Sequence, residues 1–247
     1  MARFEGRRVI VTGAGSGFGT AIAQRFAAEG AAVVVADIDI TAAEKVAADL
    51  PSAVAVRVDV TQDADNAAMA ATAVDAFGGI DVVCANAGGA HRLANLVDLP
   101  VEDFDRMFAL NVRSVYLAIK HCVPHMGEGS SIVATASIGG RRPRPALTAY
   151  NASKGAVITL VRGVATELAP RIRVNAVCPV SSDTGFDQHV FGTDMPQEFE
   201  ANVVKGIPMG RRAMPDDVAG SVLFLASDDA SFLTGVCLDV DGGRSIA

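Results

Sequence analysis

Short, nearly continuous apolar runs alternate along the chain with longer stretches whose apolar residues recur at helical spacing. RRVIVTG gives way to GTAIAQRFAAEG, AAVVVAD to TAAEKVAADL, and AVAVRVD to a helix expected from about Asp63 to Phe77. DVVCANAG leads into a helical region from Val101 to about Met126, and SSIVATAS follows it. A helix through AYNASKGAVITLVRGVATELA precedes IRVNAVCP, and PDDVAGSVLFLAS precedes VCLDVDGG. The seven runs are too uniformly apolar to have one wet face. Strands buried on both sides read this way, so the pattern predicts an α/β fold with a parallel sheet between two layers of helices.

One segment breaks the alternation. Val180 to Pro215 is polar and punctuated by Gly and Pro, with only a weak helical pattern in its middle. A segment this long inside a compact domain is usually a lid or binding loop. No linker, charge block or repeat occurs elsewhere, so the expectation is a single domain over residues 1–247 with a lid at about 180–215.

Composition narrows the function classes. Half of the 247 residues are hydrophobic and 24 are glycine, which suits a deep core with tight turns and argues against disorder. The formal net charge of -7 argues against a nucleic-acid surface, which needs clustered excess cation. No apolar run approaches a membrane span. The start MARFEGRRVIVTG passes straight into a strand, so no secretory leader is expected and the expected location is the cytoplasm. Cys84, Cys122, Cys178 and Cys237 are far apart and read as buried apolar side chains in a reducing compartment. His121 and His125 have metal-like spacing, but Pro124 intervenes and no acid adjoins them in sequence. No metal site is expected.

Two stretches carry chemistry. TGAGSGFG, Thr12 to Gly19, sits between the first strand and the first helix, where glycines let the backbone approach a pyrophosphate and aim helix N-terminal amides at it. The GxGxxG and P-loop spacings both fail, whereas TGxxxGxG fits with Gly13, Gly17 and Gly19. Asp37 ends the second strand about 20 residues on, where a carboxylate can accept hydrogen bonds from ribose hydroxyls and repel a 2′-phosphate. The loop offers Ser16 in place of an arginine. Both features point to NAD rather than NADP, although Asp37 also reads as an ordinary turn carboxylate.

The second stretch is YNASK, with Tyr150 one helical turn before Lys154. An unperturbed phenol titrates near 10 and is a poor base at neutral pH. Lowering it by about three units takes roughly 4 kcal/mol of preference for the phenolate. A fixed ammonium and a positively charged cofactor in a site that excludes water can supply that; an exposed pair cannot. Tyr116, the other tyrosine, reads as a packing residue.

In order along the chain, TGAGSGFG, NAG (Asn86, Ala87, Gly88), Asn111, Ser137, YNASK and NAVCP resemble the short-chain dehydrogenase/reductase family, and the resemblance covers essentially the whole sequence. It implies a Rossmann-like doubly wound sheet of seven parallel strands, and alcohol oxidation or carbonyl reduction with a nicotinamide cofactor. By matched position, Tyr150 is the acid/base, Lys154 lowers its pKa and holds the nicotinamide ribose, and Ser137 binds the substrate oxygen. Asn111 holds a water linking Lys154 to solvent. Asp59, at the end of the third strand before Val60, contacts the adenine, and Asn86 steadies the sheet beside the adenosine. Ser16, Phe18, Val60, Ala87 and Gly88 join the cofactor contacts. Where the family writes PG after the sixth strand, this chain has PVSSDT. Pro179 and Thr184 keep register to hold the nicotinamide carboxamide, but Val180 replaces glycine and Ser182 an aliphatic residue. The backbone path there is therefore in question. The family also implies a homo-oligomer, a tetramer or dimer, through the long helices around Phe104 to Ile119 and Ala156 to Leu168.

Arg141, Arg142 and Arg144 lie between Ser137 and Tyr150, on a loop expected to rim the substrate pocket. One of them binds an anionic substrate group, or all three are solvated or tied in salt bridges. The functional expectation is an NAD-dependent dehydrogenase of a secondary alcohol or its ketone, acting on a small molecule. A 3-oxoacyl-carrier-protein reductase is the alternative, and a catalytically silent NAD-binding sensor or scaffold is the alternative of another class.

Overall fold

The computed structural model describes residues 2–182 and 184–247. Its strands are β1 Arg8–Thr12, β2 Ala32–Asp37, β3 Ala53–Arg57, β4 Ile80–Ala85, β5 Met126–Thr135, β6 Ile172–Pro179 and β7 Cys237–Val240. They form one parallel seven-stranded sheet in the order β3-β2-β1-β4-β5-β6-β7. Period-two alternation splits each strand between two cores. In β1, Val9 and Val11 face one side and Ile10 the other.

Helices α1 Gly17–Ala28, α2 Ile40–Ala48 and α9 Pro215–Ala226 cover the face of Val9 and Val11. Helices α3 Asp63–Phe77, α5 Ser114–Cys122 and α6 Thr148–Leu168 cover the other, and α4 Val101–Phe108 precedes α5. The caps follow from local chemistry. The Asp39 side chain accepts from the Thr41 and Ala42 amides to start α2, and Gly78 takes φ 84° to end α3.

The strand order reverses at β1: β2 and β3 lie to one side, and β4 to β7 to the other. A crevice opens outside the carboxyl ends of the strands at such a switch point. Three details differ from the sequence expectation. The helical region before β5 is not continuous α-helix, because Ala109–Arg113 forms a π-helical turn between α4 and α5. Ser137 and Asp59 do not end their strands; each lies two residues beyond, on the crevice rim. Tyr116 is not a packing residue, since it is half exposed.

The polar segment after β6 folds into two short helices, α7 Phe186–Phe191 and α8 Gln197–Lys205. Val180 causes no break. Its amide donates to the Val240 carbonyl at 3.2 Å and the residue is buried, so the chain leaves the end of β6 still bonded to β7 where glycine was expected. Ser182 then bridges to Ala213, drawing the end of the segment back to its start.

Candidate active site

A cavity of about 420 Å³ occupies the crevice. Its walls contain Gly13, Ser16, Gly17, Phe18, Asp37, Asp59, Val60, Asn86, Ala87, Gly88, Ser137, Tyr150, Lys154, Pro179 and Thr184. The fold therefore gathers nearly all the residues singled out from sequence. Gly19 and Asn111 stand behind the wall.

At the glycine loop, Ser16 occupies the cap position of α1 but its side chain makes no capping bond. The first-turn amides of α1 thus lack a side-chain acceptor and open toward the cavity. Gly19 serves a different purpose. A Cβ there would overlap the Gly13 carbonyl, so its hydrogen lets the helix close onto the loop. Asp37 accepts from the Gly15 amide at 2.8 Å and the Asp39 amide at 3.0 Å. Each oxygen keeps a further lone pair for a hydroxyl. Asp59 accepts from the Thr61 amide and hydroxyl at 2.9 and 2.7 Å. Burial pushes the Asp59 carboxyl up, but these bonds outweigh it and hold the group below its usual range.

Three strand ends are tied together behind the loop. Asn86 donates to the Thr12 carbonyl at 3.0 Å and accepts from the Thr135 hydroxyl at 3.1 Å. The Thr12 hydroxyl accepts from the Asn86 and Ala87 amides, both at 3.0 Å. The sequence places Thr12 at the head of the TGxxxGxG pattern but assigns it no role. Only the hydrogen bonds across β1 and β4 show its part.

At the opposite end, Tyr150 and Lys154 are both buried on α6. The Lys154 ammonium lies 5.9 Å from the centre of the Tyr150 ring and donates to the Thr135 carbonyl at 2.7 Å. Burial brings its pKa down to about 8. Burial raises the Tyr150 phenol, and the Ser137 hydroxyl and the Arg144 guanidinium pull it partly back. In the protein by itself the phenol is thus above its ordinary value. The cation that acts on it is Arg144; the lowering expected from Lys154 does not appear in the protein by itself.

Asn111, in the π turn, accepts from the Gly89 amide at 3.0 Å and donates to the Gly89 carbonyl at 2.9 Å and the Ser153 hydroxyl at 3.0 Å. It clamps the turn after β4 onto α6. A Cβ on Gly88 would lie 2.8 Å from the Asn111 Oδ1 and 3.2 Å from the Lys154 Nζ, so glycine keeps this corner open.

The three arginines separate. Arg141 binds Asp239 at 2.8 Å and the Cys237 carbonyl at 2.6 Å. Arg142 donates to the carbonyls of Arg244 and Ala247 in the tail. Arg144 alone of the three lines the cavity. The α7–α8 segment adds Phe186, whose ring centre is 5.4 Å from that of Tyr150, and His189. Arg212 holds the segment together through Asp187 at 2.6 Å, Glu200 at 3.2 Å and the Ser182 carbonyl at 2.6 Å. Nothing in the RRAMP text separates Arg212 from Arg211, which pairs with Asp217 on the surface.

His121 does have a nearby acid, supplied by α3. Asp63 lies 3.0 Å from its Nε2 and 2.7 Å from the Lys120 ammonium. This is a surface ion pair, and no cluster of three metal-ligating residues occurs among the described residues.

A switch-point cavity with an uncapped glycine loop at one end and a buried Tyr–Lys pair at the other defines a Rossmann-type oxidoreductase. A family model described as enoyl-(acyl carrier protein) reductase matches residues 13–245, and the chain belongs to the short-chain dehydrogenase/reductase family. It is 43% identical over 244 residues to 4-formylbenzenesulfonate dehydrogenase of Comamonas testosteroni, covering 96% of this chain and 97% of that protein. It is 38% identical to meso-2,3-butanediol dehydrogenase of Serratia marcescens, covering 98% and 96%. A 3-ketoacyl-(acyl-carrier-protein) reductase from Brucella melitensis, solved with NADH, superposes with a TM-score of 0.91 at 42% identity, covering 98% of this chain and all of that one. The family uses nicotinamide cofactors, and the open α1 amides, the Asp37 lone pairs and the uncrowded corner at Gly88 fit such a group. No helix among the described residues is long and apolar enough to cross a membrane.

Proposed function

We propose that the protein is an NAD-dependent dehydrogenase that interconverts a secondary alcohol and a ketone. The observation that carries this reading is the burial of Tyr150, Lys154 and Ser137 together at one end of a cavity whose other end is the glycine loop. A nicotinamide cofactor held here would supply the hydride acceptor and, in its oxidised form, a positive charge near the phenol. Tyr150 exchanges the proton with the substrate oxygen, and the Ser137 hydroxyl holds that oxygen in line. Lys154 binds the ribose hydroxyls and keeps its charge near the phenol. Asn111 acts at one remove by fixing the Gly89 turn. Gly13, Ser16, Gly17 and Phe18 receive the pyrophosphate, with Gly19 behind them. Asp37 takes the adenosine ribose, Asp59 and Val60 the adenine, and Asn86, Ala87 and Gly88 the floor between. Pro179 and Thr184 take the carboxamide.

NAD is preferred because a 2′-phosphate would approach the Asp37 carboxylate. The domain is single, with the α7–α8 segment as its lid. It works in the cytoplasm, consistent with four free buried cysteines, and as a dimer or tetramer. Val97 in the turn before α4, with Val101, Phe104 and Tyr116 along α4 and α5, all exposed, supply an apolar face for association. A second reading, 3-oxoacyl-carrier-protein reduction, is supported by the name of the NADH-bound Brucella neighbour.

A panel of secondary alcohols and ketones, with an acyl-carrier thioester among them, tests the reaction. Wild type should turn over simple ketones better than the thioester, and Tyr150→Phe should lose roughly 10²–10⁴-fold in kcat while still binding NADH. A Tyr150→Phe variant that keeps most of its turnover would refute the acid/base assignment. Fluorescence titration should give tighter binding of NADH than NADPH, and Asp37→Ala should erase the difference.

A further inference from the structure

Among the cations of the cavity, Arg144 is left over. Its side chain enters no hydrogen bond or ion pair among the described residues, and its Nε is fully buried without a partner. The backbone beside it is fixed. The Asn151 side chain donates to the Arg144 carbonyl at 2.8 Å, and Ala146 takes the left-handed φ of 62° two residues on. The loop therefore holds a half-buried arginine here, although leaving its Nε buried and unpaired is costly. Its two sequence neighbours have structural partners, so the loop's charge is not simply solvated.

The surroundings define what would pair with it. Asp37 and Asp59 are the only carboxylates among the described residues of the cavity wall, and they stand beyond β2 and β3. Tyr150 follows β5, three strand positions from β2, or roughly 14 Å at the usual spacing. Around Tyr150 the wall holds Lys154, Arg144 and His189 and, among the described residues, no such acid. A planar guanidinium with free N–H groups is suited to two-point binding of a carboxylate or sulfonate.

We propose that Arg144 is the anchor for an anionic group, a carboxylate or sulfonate, carried by the substrate on the part of the molecule away from the reacting carbon. This rests on the dehydrogenase reading for the location of the reacting carbon and deepens it by naming the substrate class. A neutral substrate leaves the Arg144 Nε buried and unpaired, so selectivity arises from the unsatisfied donor as much as from the new bond.

The test is equilibrium binding to the NADH-loaded protein, with benzenesulfonate and its neutral isostere benzenesulfonamide as probes, read from bound-NADH fluorescence. Benzenesulfonate should bind at least tenfold more tightly, and added salt should narrow the gap. Arg144→Gln should abolish the preference with NADH affinity within twofold of wild type, and Arg144→Lys should restore part of it. Equal binding of the two probes to wild type, no measurable sulfonate binding at millimolar concentration, or a preference that survives Arg144→Gln overturns the proposal. So does a tenfold loss of NADH affinity in Arg144→Gln, which would assign the arginine to cofactor phosphate. Wild-type turnover of the alcohol and ketone panel separates the two claims. A retained sulfonate preference with no turnover of any panel substrate by wild type refutes the dehydrogenase reading alone, whereas turnover without the preference refutes the anchor alone.

Discussion

The two ends of the cavity are built on opposite principles. Around the glycine loop, polar groups are paired within the protein: Asp37 with two amides, Asp59 with Thr61, and Asn86 and Thr12 with each other's backbone and with Thr135. Around Tyr150 and the α7–α8 segment the pairing is incomplete, with single atoms left over. Among the described residues, the Asn66 oxygen is the one buried side-chain atom without a partner in the β1–β3 half; those of His91, Arg144, Asn151, Arg212 and Asp239 lie on the other side. A site completed before any ligand arrives can be strict about shape. One with spare donors is completed by what it binds, and its specificity is then set by the ligand's charge.

The comparison can be broken first at the α7–α8 segment. Arg212 has few substitutes, because its pairs with Asp187 and Glu200 hold both short helices at once. Arg212→Ala leaves the buried Asp187 carboxylate uncompensated and should loosen the segment by about 3 kcal/mol. The expected signs are faster proteolysis between residues 185 and 205 and a KM that rises more than kcat falls. Unchanged proteolysis would mean that the segment is held by other contacts, such as the Phe191–Phe199 ring pair at 5.1 Å.

Lys154 sharpens the contrast through pH. Its pKa falls from the ordinary 10.5 to about 8 on folding, so the unfolded chain binds the extra proton between those values. Stability from this group is complete above 10.5 and is lost as pH falls through 8. Relative to Lys154→Met, wild type should gain about 3 kcal/mol between pH 8 and 10.5 in denaturant titrations. A flat difference would show that the ammonium is solvated.

At the paired end the expected effect is one of fit. Gly19→Ala gains helix propensity but drives a methyl group into the Gly13 carbonyl, and should cost about 2 kcal/mol net together with most NADH affinity. The smallest effect is electrostatic. Because the Arg144 guanidinium pulls the Tyr150 phenol down, Arg144→Gln should move the ascending limb of the alcohol-oxidation profile to higher pH even for a neutral alcohol. An unmoved limb would place the arginine too far from the phenol to act on it.

Much of this was legible from the sequence because it is periodic or local. Strands buried on both faces announce themselves as unbroken apolar runs, and α3 falls on its expected bounds of Asp63–Phe77. TGxxxGxG and YxxxK survive as patterns because one turn and one helix face fix their geometry. What escaped is long-range. Thr12 and Arg212 gain their parts from residues tens of positions away, and Gly19 supports packing where spacing suggested only ligand contact. Among Arg141, Arg142 and Arg144 the sequence offers no ranking, since the difference lies in whether Asp239 and the C-terminal carbonyls happen to be within reach. The π turn at Ala109–Arg113 follows ordinary helical text, and no local signal marks the extra residue that turns Asn111 inward.

The ring of Phe186 against Tyr150 makes the entrance and the phenol one mechanical unit. An outward swing of α7 would strip the aromatic cover from Tyr150 and let water in. The tyrosine's acidity would then drift back toward that of a free phenol, so an open cavity would not hold its phenol in the same electrostatic state as a closed one.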